Sequence, residues 1–160
     1  MNELVTIAEK IAAKLIERKQ TIAVAESSTG GMISAALLAV PGASAYFIGG
    51  GVIYTRDARR VLMDIPNEAM KGIRSASEPY AKLLASQIRA RLGTDWGLSE
   101  TGATGPSGNR YGDAAGHSCM ALAGPVEAVI TLETGSGDRR ANMQAFAKAA
   151  LNLLLENLSR

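Results

Sequence analysis

The sequence predicts an α/β protein: one three-layer α/β/α domain with a mixed sheet, spanning residues 1–160. Three observations lead there. Helix-period and strand-period segments alternate through the first two thirds of the chain, and a hairpin pattern and a long helix close it. Aromatic residues make up only 4%, so the core has to be built from Ala, Leu, Ile, Val and Met, which suits helices packed closely on a sheet. A chain of 160 residues fits one core, and no repeat, low-complexity stretch or linker interrupts it.

Leu4, Ile7, Ala8, Ile11, Leu15 and Ile16 recur at helical spacing and predict an amphipathic helix over 3–18. Residues 21–26 read as a buried strand and 30–40 as a helix, which Pro41-Gly42 ends. Tyr46-Phe47-Ile48 and Val52-Ile53-Tyr54 flank Gly49-Gly50-Gly51, one strand region with a bend or a close backbone approach at the glycines. A short helix over 58–63 and a loop at Ile65-Pro66-Asn67 follow. Ser77 caps the next helix, with Pro79 in its first turn, and the pattern runs to about Leu92. Residues 95–100 predict a strand, and 101–113, with four glycines, a loop. Strands over 118–123 and 128–133 form a hairpin around Gly124-Pro125. The last helix covers 138–158, with Asp138 at its N-cap.

Composition narrows the function classes. Hydrophobic residues at 47% and charged residues at 20% are ordinary for a globular protein. A net charge of +2 is too small to point to nucleic acid or a membrane surface. Cys119 is the only cysteine, so no internal disulfide forms, which fits a reducing compartment. One Cys and one His cannot supply a zinc site. The N-terminus carries Glu3 and Glu9 with no secretory h-region, and no apolar run approaches ~18 residues. The expected location is cytoplasmic.

Ser27, Tyr54 and Thr101 each fall at the carboxyl end of a predicted strand, where open α/β sheets bind ligands. The turn Ala25-Glu26-Ser27-Ser28-Thr29-Gly30-Gly31 leads a strand into a helix. Its hydroxyls suit helix capping, yet the cluster exceeds what one cap needs, leaving room for a nucleophile or an anion-binding turn. The segment Gly102-Ala103-Thr104-Gly105-Pro106-Ser107-Gly108 is either a second anion cradle or a long surface loop. It lacks the Gly-Lys-Ser/Thr ending of a phosphate loop and does not fit the dinucleotide fingerprint. Arg59 lies where a strand enters a helix, and is either a solvated basic residue behind an Asp57 cap or a group aimed at the strand ends. Arg139 and Arg140 open the last helix as candidate anion contacts. His117, between Gly116 and Ser118 at a strand start, reads as structural more readily than catalytic.

Together these segments resemble the CinA C-terminal domain family. Ala25-Glu26-Ser27-Ser28-Thr29-Gly30-Gly31 resembles its AESCTGG motif, and Pro41-Gly42-Ala43-Ser44-Ala45-Tyr46-Phe47 its PGSSA-x-F stretch. Gly51 to Arg59 resembles G-x-V-x-YSNEAK, Ser75-Ala76-Ser77-Glu78 the GAVSE helix start, and Thr101 to Pro106 TGIAGP. Ser136-Gly137-Asp138-Arg139 matches SGDR. The likeness runs in order through nearly the whole chain and implies a stand-alone domain.

Members of that family that are enzymes are nicotinamide-nucleotide amidases, hydrolysing nicotinamide mononucleotide to nicotinic acid mononucleotide and ammonia without metal or cofactor. The resemblance implies Ser27 as nucleophile, Tyr54 beside it, and Arg59 in the place of the catalytic lysine. It implies substrate contacts from Thr29, Gly30, Gly31 and Ser44, and from Gly102, Thr104, Gly105 and Arg139. The implied partner is a pyridine mononucleotide, with no nucleic acid or membrane, in a homo-oligomer. Two departures matter. An arginine stays protonated, with a pKa above ~12, and cannot accept the serine proton. The motif's cysteine is Ser28. If Arg59 is no base, the remaining groups are His117, Glu26, Glu100 and Tyr54. The readings are therefore an amidase with altered activity or a non-catalytic pyridine-nucleotide-binding homologue.

Overall fold

The computed structural model describes residues 1–159. Its elements run α1 (Asn2–Arg18), β1 (Ile22–Glu26), α2 (Met32–Leu38), β2 (Phe47–Val52), α3 (Arg56–Met63), α4 (Glu78–Leu92), β3 (Trp96–Ala103), β4 (His117–Ala123), β5 (Ala128–Glu133) and α5 (Arg139–Leu158), with short 3-10 turns at Ala43–Ala45 and Asn67–Met70. The strands form one sheet in the order β2-β1-β3-β4-β5. β1 pairs parallel with β2 and β3, whereas β3–β4 and β4–β5 are antiparallel, so the sheet is mixed.

The two faces of this sheet differ in side-chain size, and strand alternation is the cause. Ile22, Val24, Trp96, Leu98, Met120 and Leu122 point to one face, into a core closed by α1, α2 and α5. The intervening Ala23, Ala25, Cys119, Ala121 and Ala123 face α4. Small residues let α4 settle close to the sheet. A Cβ on Gly97 would stand 2.2 Å from the Ala85 carbonyl oxygen, so only glycine fits there. Ser99 Oγ donates to Ala81 O across the same contact.

Local chemistry sets the helix ends. Ser77 Oγ accepts from Tyr80 N, Gly93 ends α4 at a φ of 63°, and Asp138 Oδ1 accepts from Ala141 N. α3 starts two residues earlier than its apolar pattern indicates. Thr55, rather than Asp57, is its cap and accepts from Ala58 N, while Asp57 pairs with Arg60 at 3.4 Å.

The loop expected over 101–113 begins later than the sequence predicts, and of the two readings of the β2 glycines the structure shows the close approach. Thr101, Gly102 and Ala103 continue β3 and pair with Cys119, Ser118 and His117. Gly102 is there for proximity: a Cβ would sit 2.6 Å from the Ser118 side chain. The glycines of β2 do not break the strand. Gly50 allows close approach, since a Cβ would lie 2.5 Å from Ser34 Oγ, and the irregularity is a register shift that skips Ile48. No helix among the described residues is long and apolar enough to cross a membrane.

Candidate functional site

β1, β2 and β3 run parallel, so the loops leaving them open on one edge of the sheet. A cleft of about 1020 Å³ lies there. Ser27 enters it from the end of β1, and Ile53 to Asp57 and Arg59 from the β2–α3 connection and the start of α3. Tyr80 comes from the first turn of α4, Thr101 and Gly102 from β3, and Asn109, Arg110 and Tyr111 from the β3–β4 loop. Ser27, from the end of β1, thus shares one cleft with Tyr54 and Arg59 from the β2–α3 segment.

The hydroxyl-rich turn is an anion cradle, and the anions it holds are the protein's own. Glu100 is fully buried and accepts from Ser27 N at 3.1 Å, Thr29 N at 2.9 Å and Thr29 Oγ1 at 2.9 Å. Ser28 Oγ and Ser118 Oγ reach its other oxygen at 2.5 and 3.1 Å. Glu26, also fully buried, accepts from Gly31 N, Ile33 N and Ser34 N and so caps α2, whose N-cap Gly31 brings no side chain. Burial pushes the Glu100 carboxyl up from its ordinary range, against the pull of the Ser28, Thr29 and Ser27 hydrogen bonds. Thr29 Oγ1 lies 2.7 Å from Glu26 Oε1 as well, and its single proton serves one carboxylate at a time. Ser27 Oγ alone among these hydroxyls makes no hydrogen bond to the described residues.

Thr29 is consequently closed off beneath the turn, and Gly31 N is taken by Glu26. Gly30 is exposed at a φ of 63° and closes the turn onto Ser27 O. Thr104 is buried and its carbonyl accepts from Asn142 Nδ2 at 2.9 Å, which holds it to α5 outside the cleft lining. Arg139 spans the rim: Nη1 donates to Gly105 O and Nη2 to Tyr54 Oη at 3.3 Å. Ser44 precedes β2 and stands at the other end of that strand from Tyr54, about 20 Å of strand away. Within one chain it does not join the cleft.

Arg59 is 5% exposed and lines the cleft. One Nη donates to Asn67 Oδ1, and Nε is buried with no partner among the described residues. None of the ion pairs among the described residues includes it. Its charge reaches the neighbouring Tyr80 phenol, which burial raises and Arg59 pulls back down.

His117 lies outside the cleft lining, in a second network. Nε2 faces Ala76 O at 2.7 Å and Nδ1 faces Glu133 Oε1 at 2.5 Å, with Asp113 Oδ2 at 3.6 Å. Both nearest partners are acceptors only, so both ring nitrogens donate and the ring is an imidazolium. Burial opposes that charge, but Glu133, the Ala76 carbonyl and Asp113 outweigh it and raise the imidazole above its ordinary value. Asp113 also takes Arg74 through both oxygens, at 2.6 and 3.1 Å, and Arg74 and Arg110 flank the Tyr111 ring with guanidinium carbons 5.3 and 5.1 Å from its centre. The network therefore pins the loop that carries Arg110 and Tyr111 over the cleft. Arg110, Tyr111, Asn67 and Tyr80 line the cleft as well, and the local sequence pattern does not single them out. The available signal was the Asn109-Arg110-Tyr111 tip, an aromatic beside a cation in an otherwise small-residue loop.

Known proteins resemble this chain in sequence and in fold. The sequence profile of the CinA C-terminal domain matches residues 4–158. A CinA-like protein of Gloeobacter violaceus is 43% identical over 122 residues, 76% of this chain and 29% of that protein. A CinA-like protein of Chlorobium limicola is 38% identical over 151 residues, 91% of this chain and 35% of that protein. The chain thus spans about a third of the length of these curated relatives. Among solved structures, a competence-damaged protein (CinA) superfamily protein from Klebsiella pneumoniae superposes with a TM-score of 0.91 at 25% identity, covering 98% of both chains. The competence/damage inducible protein CihA from Agrobacterium tumefaciens matches with a TM-score of 0.88 at 26% identity, covering 99% of this chain and 96% of that one.

Proposed function

Because this chain belongs to the CinA C-terminal domain family, we propose that its cleft binds a pyridine mononucleotide and that serine-dependent hydrolysis of the ligand's carboxamide is slow or lost. The observation that carries this reading is the state of Arg59 and of every alternative base. A general base has to lie within hydrogen-bond reach of the proton it takes. A guanidinium, which stands where the family's lysine would, is no proton acceptor. Glu26 and Glu100 are buried and engaged by donors other than Ser27 Oγ. Both His117 nitrogens are committed to the Ala76 carbonyl and Glu133. Tyr54 is exposed and accepts from Arg139.

A working amidase is the second reading, and the unengaged Ser27 Oγ favours it. In that chemistry the Ser27 oxygen adds to the carboxamide carbon, ammonia leaves, and water releases the acid from the acyl-enzyme. Calorimetry with nicotinamide mononucleotide, run beside an ammonia assay, separates the two. The proposed outcome is saturable binding with ammonia release no greater than that of Ser27→Ala. Arg59→Lys is expected to gain Ser27-dependent release of tenfold or more as pH rises toward the lysine's titration. Strong Ser27-dependent release by the unmodified protein establishes the amidase instead, and absence of binding defeats both. Assembly into a homo-oligomer belongs to the same proposal, and a sedimentation mass above 16.7 kDa tests it.

A further inference from the structure

We propose that Arg59 is the seat of a ligand oxyanion, so that the cleft prefers a ligand carrying a carboxylate or phosphate over its counterpart without that charge. The inference rests on the pyridine-nucleotide reading for the identity of the ring, not for the anion.

A guanidinium carries five N–H donors and a permanent charge. Burying it without a counter-charge is strongly unfavourable unless an anion completes the site. Arg59 is 5% exposed, and among the described residues its Nε has no acceptor and its only side-chain partner is the neutral Asn67 amide oxygen. The surroundings add positive charge. Arg56 and Arg110 share the lining, and the single carboxylate there, Asp57, is turned to solvent and Arg60. Ile53, Met70, Ile73 and Tyr80 supply an apolar wall suited to a flat ring beside the anion.

The chemistry of the fork sets the preference. An Nε–H and an Nη–H lie parallel and match two oxygens of one carboxylate or phosphate. A carboxamide offers one oxygen and one NH₂, and the NH₂ meets a second donor. Carboxylate and phosphate ester share the oxyanion that satisfies the fork, and matched ligands tell them apart.

The test uses the 160-residue chain, with thermal shift and calorimetry. Ligands are nicotinate against nicotinamide, nicotinic acid mononucleotide against nicotinamide mononucleotide, and inorganic phosphate. Expected is at least tenfold tighter binding of the acid in each pair when the ring carboxylate takes the seat. Equal binding of the two nucleotides, with loss of binding on removing their phosphate, places the phosphate there and equally supports the oxyanion seat. Arg59→Met should abolish either preference and raise the melting temperature of the ligand-free protein. Arg59→Lys, which keeps the charge and loses the fork, should retain anion binding with a smaller acid-over-amide ratio. Saturable stabilisation by phosphate through Arg59, with no pyridine compound bound, defeats the pyridine reading and leaves the anion seat standing. Equal binding of charged and neutral ligands throughout, or an anion preference that survives in Arg59→Met, overturns the proposal.

Discussion

Five donors converge on the two oxygens of Glu100, and a change of one residue there tests what the serine-rich turn is for. Each buried donor left without an acceptor costs about 1–3 kcal/mol. Glu100→Ala is expected to lose roughly 3 kcal/mol or more in urea unfolding at pH 7, since several such donors are orphaned together. Glu100→Gln keeps an oxygen for the Ser27 and Thr29 amides and turns an NH₂ toward Ser28 and Ser118, so it should stay within about 1 kcal/mol of the parent. The folded-state pKa is raised, so the folded protein holds this proton more tightly than the unfolded chain. Its contribution favours folding in acid and declines as pH climbs from 4.5 through the folded value, a slope that Glu100→Gln should remove.

At the level of elements, the spacing between α4 and the sheet depends on the small residues beneath the helix. Gly97→Ala places a methyl against the Ala85 carbonyl and Arg89 Cβ, where backbone has to move. The expected loss is about 1–3 kcal/mol or more, read as a lower denaturant midpoint at unchanged slope. That spacing was legible in the sequence, because β1 and β4 alternate large with small and 4% aromatics left little else to build with. The end of β3 was not legible. Thr101-Gly102-Ala103 reads as a loop because glycine and hydroxyls are turn residues, and the pairing with Cys119-Ser118-His117 that makes it a strand lies outside any local window.

Over the whole molecule, His117 ties together three places distant in the chain: Ala76 before α4, Asp113 in the β3–β4 loop and Glu133 at the end of β5. Its folded pKa stands above 6.5, so its contribution is complete below that value and fades as pH rises through the folded one. Unfolding measured from pH 5.5 to 9 should show the protein exceeding His117→Gln by the most at the acid end and by little at pH 9. A constant difference would remove the imidazolium from the account. The alternation of element types, the side-chain sizes on each strand face, the helix caps at Ser77 and Asp138 and the order of the family motifs were all determined by the sequence alone, since each depends on neighbours a few residues apart. Tertiary structure decided which charges meet. It set Glu100 into a turn more than 70 residues upstream, drew His117 into a clamp outside the cleft lining, and left Arg59 buried without a carboxylate among the described residues. Coulomb and hydrogen-bond partners are fixed by distance in space, which the chain acquires only once its sheet has formed.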